Sequence, residues 1–196
     1  MTPQLYIMVK EPRPGRVKTR LGGDIGTIPA TWWFRHQTRR LIRRLSADPR
    51  WQTVLAVSPD HAGVHSRIWP SHLPRFAQGG GDLGDRMGRA LRSPVPGPVL
   101  VIGADIPGIT PRHIADAFKA LGDHDAVLGP APDGGYWLVG LKNARPAPRE
   151  LFKGVRWSSE HARADTLATL RGLSCAMVAE LQDVDRASDL ATVTAP

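Results

Sequence analysis

The sequence holds a single cysteine, Cys175, in 196 residues. One thiol closes no internal disulfide, and without a cysteine pair there is neither the mark of an oxidising compartment nor a thiolate zinc site. Cys175 itself lies in an apolar run and reads as core. Long apolar runs are also missing. The one near the N-terminus covers residues 5–9, too short for a signal-peptide core or a membrane span. The expected protein is soluble and cytoplasmic, with no membrane span. Neither HExxH nor GxSxG occurs, which removes the zincin and serine-hydrolase readings. His61 and His65 have helical spacing but no third ligand, so the histidines read as surface side chains.

Acids are the minority charge: 18 Asp and Glu stand against 26 Lys and Arg, a net +8. Arginine dominates the basic set, so an anionic ligand has to be considered. The densest cluster, Arg35, Arg39, Arg40, Arg43 and Arg44, shares a stretch with Phe34, Leu41 and Leu45 at helical spacing. These apolar residues form the expected buried face and the arginines a solvated one. No basic and aromatic interleaving accompanies them, so nucleic acid is not the expected partner. Apolar residues at 41% and charged residues at 22% are ordinary globular values. The length suits one domain over residues 1–196. Twenty glycines and eighteen prolines, without a collagen period, imply many tight turns.

Short apolar runs predict strands at residues 5–9, 53–57, 75–78, 99–102, 126–128, 136–141 and 175–181. Helical patterns fall at residues 29–46, 83–91, 111–121, 159–171 and 187–193. The runs at 126–128 and 136–141 flank a Pro-Asp-Gly-Gly turn and suit an antiparallel hairpin. Strands alternating with helices otherwise imply a three-layer α/β/α, Rossmann-like architecture with a mostly parallel sheet. Ligands in such sheets bind beyond the carboxyl ends of the strands. Each polar cluster below follows a predicted strand, and that coincidence argues for an enzyme.

The first cluster, Lys10 to Leu21, packs five basic side chains around two prolines and a glycine. Lysine and arginine there supply point and forked donors for phosphate. It is no Walker A loop, because Val17 precedes Lys18 and Thr19 where that motif has glycine. The second runs from Gln78 to Met87, and Gly79, Gly81 and Gly84 satisfy GxGxxG with Asp105 further on. The preceding strand is not the first, prolines crowd the crossover, and Ile106 and Pro107 follow the acid, so a nicotinamide site is a weak reading. The third presents Asp105 at the end of residues 99–102. It reads as a hard-cation ligand or as a turn aspartate satisfied by backbone amides. Asp183 or Asp185 offers a second carboxylate, and alone either reads as a helix cap.

The fourth cluster spans Gly129 to Trp137. It is a hairpin turn, or a place where Gly134 and Gly135 let a ligand approach while Asp133 accepts hydroxyl hydrogen bonds or acts as a base. Trp157, Ser158 and Ser159 precede a helix and either cap it or touch substrate.

In order, KEPRPGRVKTRL, QGGGDLGDRM, VLVIGADIPGI, GPAPDGGYWLVGL, WSS and DVDRASDL resemble a bacterial family of glycosyltransferase-A-like proteins, described as nucleotide-diphospho-sugar transferase-like. The resemblance covers nearly the whole chain and implies a metal-dependent transferase with a nucleotide-activated small-molecule donor and Mg²⁺ or Mn²⁺. It implies phosphate contacts from Arg13, Lys18 and Arg20, and places Gly79, Gly80, Gly81 and Asp82 near base and ribose. Asp105 and Asp185 match metal positions. Asp133, Gly134, Gly135 and Tyr136 line the acceptor side, with Trp157 and Ser158 counted beside them. Lys18 and Asp133 are the expected catalytic pair. Arg186 and Ser159 stand where the family usually has Thr.

The basic loop also resembles that of phospholactate guanylyltransferase. Glycosyl transfer from an NDP-sugar is the expected reaction. Nucleotidyl transfer from an NTP to a phosphorylated acceptor is the alternative, and a nonenzymatic nucleotide-binding module is the reading from another class. The acceptor and oligomeric state stay open.

Overall fold

A computed structural model describes residues 2–144 and 146–192. The first strand, β1 (Gln4–Lys10), lies inside the sheet, and its side chains alternate between two cores. Leu5, Ile7 and Val9 enter one apolar cluster, while Tyr6 and Met8 pack into the other. A strand buried on both faces needs helices above and below, which is why its sequence is a continuous apolar run. On one face α2 (Thr27–Ser46) and α5 (Pro111–Asp123) bring Leu41, Leu45, Ile114 and Leu121. On the other, α4 (Leu83–Leu91) and α6 (Ala162–Thr169) join Phe152 and Val155. Each large apolar side chain so buried stabilises the fold by about 1.5–3 kcal/mol.

The sheet has seven strands in the order β3-β2-β1-β4-β6-β5-β7. These are β2 (Gln52–Ser58), β3 (Arg75–Ala77), β4 (Val99–Gly103), β5 (Ala126–Pro130), β6 (Tyr136–Leu141) and β7 (Cys175–Met177). All neighbours run parallel except β6, which is antiparallel to both β4 and β5. The hairpin is thus present, but β6 folds back into the sheet between β4 and β5. That reversal brings the start of β6, Tyr136 and Trp137, to the edge where β1 and β4 end.

Several boundaries differ from the sequence reading. The basic loop closes into α1 (Thr19–Ile25), and α3 (Asp60–His65) follows β2. His61 and His65 are indeed one turn apart, with rings 5.0 Å between centroids. Gln78 leaves the third strand because its side chain bonds the sheet, donating to the carbonyls of Val9 and Ala56. Ser159 starts no helix: its hydroxyl donates to the Arg156 carbonyl, and α6 begins at Ala162. Beyond β7 the chain continues extended, with the Val178 and Leu181 amides bonded to the Leu128 and Pro130 carbonyls.

The last helix, α7 (Ala187–Thr192), follows at the C-terminal end, and Val193 lies outside the described residues. Cys175 is only half-buried. In α2 the arginines are not all solvated: Arg44 is half-buried and donates to the Pro107 carbonyl at 3.1 Å. Among the described residues no helix is long and apolar enough to cross a membrane.

A third, small cluster positions the site. Leu21 of α1, Ala30 of α2 and Val184 pack together, so the basic loop and the C-terminal Asp183–Asp185 segment meet although far apart in sequence.

Candidate functional site

The carboxyl ends of β1 and β4, the start of β6 and the segments after β3 and β7 enclose two adjoining cavities, of about 630 and 550 Å³. Arg20, Asp105, Asp185, Tyr136 and Ser158 line both and form the shared wall.

The larger cavity is lined on its basic side by Lys10, Arg16, Lys18 and Arg20. Its loop leaves β1 through a backbone bond from Glu11 to the Ser58 carbonyl and tightens through Arg16 to the Arg13 carbonyl. Lys18 follows with φ 45° and ψ 51°, the left-handed region that side-chain-bearing residues rarely enter. That turn drives its ammonium inward, where the side chain is only 6% exposed. Nζ sits 2.6 Å from Asp105 Oδ2 and 3.4 Å from Asp185 Oδ1, and Arg20 Nη1 is 2.6 Å from Asp185 Oδ2. The Val184 amide donates to the Asp105 carbonyl at 3.2 Å, splicing the two acidic segments together.

Titration follows from this packing. Burial alone would lower the Lys18 pKa, but the charge and hydrogen bond of Asp105, helped by Asp183 and Asp185, raise it above its ordinary value. Burial pulls Asp185 upward, and the bonds from Arg20 and Lys18 overcome it, so its carboxyl lies below the usual range. Among the described residues Asp183 has no such bond. Burial first, then the neighbouring Asp105 charge, push it up to about 6.

Among the described residues no group of three or more His, Cys, Asp or Glu is arranged to hold a metal. What the geometry offers is a pair of carboxylates, Asp105 and Asp185, with the Lys18 ammonium between them. Two carboxylates suit a hard cation whose remaining positions are taken by water and substrate phosphate. The donor set therefore fits Mg²⁺ or Mn²⁺, provided Lys18 swings away.

The smaller cavity gathers Asp133, Gly135, Tyr136, Trp157 and Ser158 with Glu160 and Asp183. Gly134 stands behind it. Its φ is +85°, and a Cβ there would lie 2.6 Å from Glu160 Cα, so only glycine lets the two loops touch. The Arg163 amide completes the junction by donating to the Gly134 carbonyl. Asp133 Oδ1 accepts from the Gly135 amide at 2.9 Å. Ser158 is a second left-handed, non-glycine residue, at φ 58°. Tyr136 is held by a hydrogen bond from Thr166, and burial raises its phenol well above the ordinary value.

Other residues singled out from the sequence lie elsewhere. Arg13 is exposed on the basic turn and lines neither cavity. Gly79 and Gly80 lie against Arg89 instead, whose guanidinium donates to the Gln78 and Gly80 carbonyls, and Gly81 faces the Asp85 side chain. A Cβ on Gly79 would meet Arg89 Cζ at 2.8 Å, and one on Gly84 would meet Phe152 and Trp157 at 2.7 Å. Packing thus accounts for the GxGxxG spacing. Asp82 caps α4 in a capping box with Asp85.

From this segment it is Gln78, Leu83 and Met87 that reach the larger cavity. Leu83, 45% exposed, and Met87 lie one helical turn apart, a spacing that could have marked them. Glu160 carried no sequence signal.

A seven-stranded mixed sheet with one inserted antiparallel strand, and a cleft beyond the parallel strands' ends, defines a nucleotide-diphospho-sugar transferase-like α/β protein. The chain belongs to the family described as "uncharacterized protein conserved in bacteria (DUF2064)", which matches residues 41–159. Among solved structures, a Desulfovibrio desulfuricans G20 protein bearing the name nucleotide-diphospho-sugar transferase is 29% identical. It aligns over 94% of this chain and 83% of its own, with a TM-score of 0.83.

Two more distant structures share the fold. The 4-diphosphocytidyl-2C-methyl-D-erythritol synthase of Anaerococcus prevotii DSM 20548 is 10% identical over 97% of this chain and 95% of its own, with a TM-score of 0.62. A Mycobacterium tuberculosis H37Rv protein in complex with manganese is 14% identical over 98% and 97%, with a TM-score of 0.55. No curated protein matches the sequence.

Proposed function

We propose that residues 1–196 form one catalytic domain, a divalent-metal-dependent transferase that moves a sugar from a nucleoside diphosphate to an acceptor hydroxyl. The observation that carries this reading is the Lys18–Asp105–Asp185 cluster, which places two carboxylates at the junction of a basic cavity and an acidic one. The name of the D. desulfuricans relative and the manganese complex of the mycobacterial one support it.

The diphosphate binds against Arg16, Lys18 and Arg20, while Leu83 and Met87 offer an apolar surface for the nucleoside. Arg13 adds long-range attraction from the rim, and the Gly79–Asp82 loop positions Leu83 rather than touching ligand. Asp105 and Asp185 would hold Mg²⁺ or Mn²⁺, which when bound offsets the charge of the departing diphosphate. Lys18, released from between these carboxylates, turns to the phosphate oxygens. On the other side Asp133 takes the proton of the acceptor hydroxyl as that oxygen bonds to the anomeric carbon. The bond from the anomeric carbon to the phosphate oxygen breaks, and its electron pair leaves with the nucleoside diphosphate. Tyr136, Trp157 and Ser158, with Gly134 and Gly135 in the turn, shape the acceptor's place.

One observation favours a second reading. Four cations on one wall suit a triphosphate, as in nucleotidyl transfer to an acceptor phosphate. Thermal shift against nucleotide sugars and nucleoside triphosphates, each with and without Mn²⁺, separates the two. A ligand at 100 times its Kd adds about 2.7 kcal/mol, a rise of about 5–10 °C for a domain of this size. A metal-dependent shift with a nucleotide sugar, followed by release of the nucleoside diphosphate, is expected. Preference for a triphosphate supports the second reading. Binding without turnover makes the protein a nucleotide-binding module, and no shift with any nucleotide overturns both reactions.

A further inference from the structure

We infer that the smaller cavity selects a hydroxyl-bearing acceptor without negative charge and turns away phosphorylated and carboxylated molecules. This rests on the transferase reading above and names the substrate class of its acceptor half.

The inference comes from how the charges are partnered. Asp105 and Asp185 are matched by Lys18 and Arg20. Asp133, Glu160 and Asp183 line the same cavity, and among the described residues none has a Lys or Arg within ion-pair distance; Glu160 has only the His161 imidazole, at 3.8 Å. Arg20 is the one basic side chain lining this cavity among the described residues, and Asp185 already holds it. A metal held by Asp105 and Asp185 would answer to the donor's phosphates and leave Asp133, Glu160 and Asp183 without a Lys or Arg partner.

An anionic acceptor would enter against these carboxylates, and like-charge juxtaposition is a strong device for rejecting partners. A hydroxyl, in contrast, donates to a carboxylate. The remaining walls suit the same ligand. Tyr136 and Trp157 present an aromatic pair, 6.4 Å between ring centroids, and Ser158 and Ser159 add hydroxyls. The Trp157 indole N–H is buried without a partner among the described residues. A cavity of about 550 Å³ that sets aromatic walls beside carboxylates and hydroxyls has the size of an ordinary small-molecule site.

The test uses the full chain with Mn²⁺ and whichever nucleotide sugar shifts its melting. Hexoses, pentoses, glycerol and inositol are offered as matched pairs, each free and as its monophosphate, and nucleoside diphosphate release is measured with product mass. We expect the free member of the best pair to be at least tenfold faster than its phosphate ester. Glu160→Lys, a change at an exposed side chain, should narrow that ratio severalfold while leaving the donor-induced shift intact. Faster turnover of phosphate esters, or a ratio unmoved by Glu160→Lys, overturns the inference. Donor binding with no stimulation by any free acceptor overturns it too, while the donor half of the transferase reading stands. Absence of any donor shift overturns the underlying reading itself.

Discussion

The two cavities share a wall but are built in opposite ways. The basic one takes its four cations from a single stretch, Lys10 to Arg20, where β1 ends and α1 begins. The acidic one draws its carboxylates from four places: Asp105 after β4, Asp133 in the β5–β6 turn, Glu160 before α6, and the Asp183–Asp185 segment. Local chain geometry makes the first, and tertiary packing makes the second. Perturbations of the loop and of the packing should therefore separate the proposed donor and acceptor functions.

The largest separation is expected from Lys18→Met. In the proposed reaction it removes the ammonium that would turn from Asp105 and Asp185 to the donor phosphates, and turnover should fall by about 10²–10³-fold, the scale of one lost electrostatic contact. At the same time it frees Asp105 and Asp185 from their internal cation. Mn²⁺ binding without nucleotide, followed by the paramagnetic resonance of the free ion, should tighten. Unchanged turnover together with unchanged Mn²⁺ affinity would show that Lys18 merely fills space.

Gly134→Ala probes the other half. The new methyl group enters a left-handed residue and meets the Glu160 backbone, so the turn and the 158–160 segment must move apart. Stability should drop by about 2–3 kcal/mol, a fall in Tm of about 5–10 °C. Below that temperature the nucleotide-induced shift should persist while acceptor turnover is lost. Loss of both together would mean that the cavities are not separable.

The same contrast explains what was legible in the sequence. The apolar runs of β1, β2, β4 and β6 announced a buried sheet because strands covered on both faces have no polar side. The helical pattern at 111–121, with Pro111 at its start, likewise announced α5, which Thr110 opens with a capping box. Helix α1 was hidden because Gly22 and Gly23 weaken its pattern and its first residue follows a left-handed lysine. That the Lys10–Arg20 loop gathers cations could be read because they are neighbours in the chain, and four of them line one cavity. That Arg89 would occupy the ground behind Gly79 and Gly80 could not, since it depends on how α4 lies against its own preceding loop. Nor could Glu160, which joins Asp133 only through the contact at Gly134. Asp183 and Asp185 were visible as carboxylates, but their division into an unmatched and a matched partner is decided by Lys18 and Arg20, more than 160 residues earlier.

That division supplies the smallest and most specific effect. Asp183 titrates near 6 in the folded protein, against an ordinary 3.8, because burial and the Asp105 charge disfavour its ionised form. Between those values the folded chain binds a proton that the unfolded chain releases, so stability declines as pH rises from about 4 to about 6 and stays lowered above. Asp183→Asn removes the titration. At pH 8 it should raise Tm by about 2–4 °C, roughly 1 kcal/mol once solvent screening of a half-buried group is counted. At pH 4, where the aspartate is already protonated in the folded state, the two proteins should melt together. Asp185→Asn offers the matched contrast: it removes a carboxylate whose pKa is lowered by Arg20 and Lys18, so its effect at pH 8 should be destabilising. A stabilising Asp185→Asn, or an Asp183→Asn gain independent of pH, would show that the two carboxylates are not partnered as described and would remove the asymmetry between the cavities.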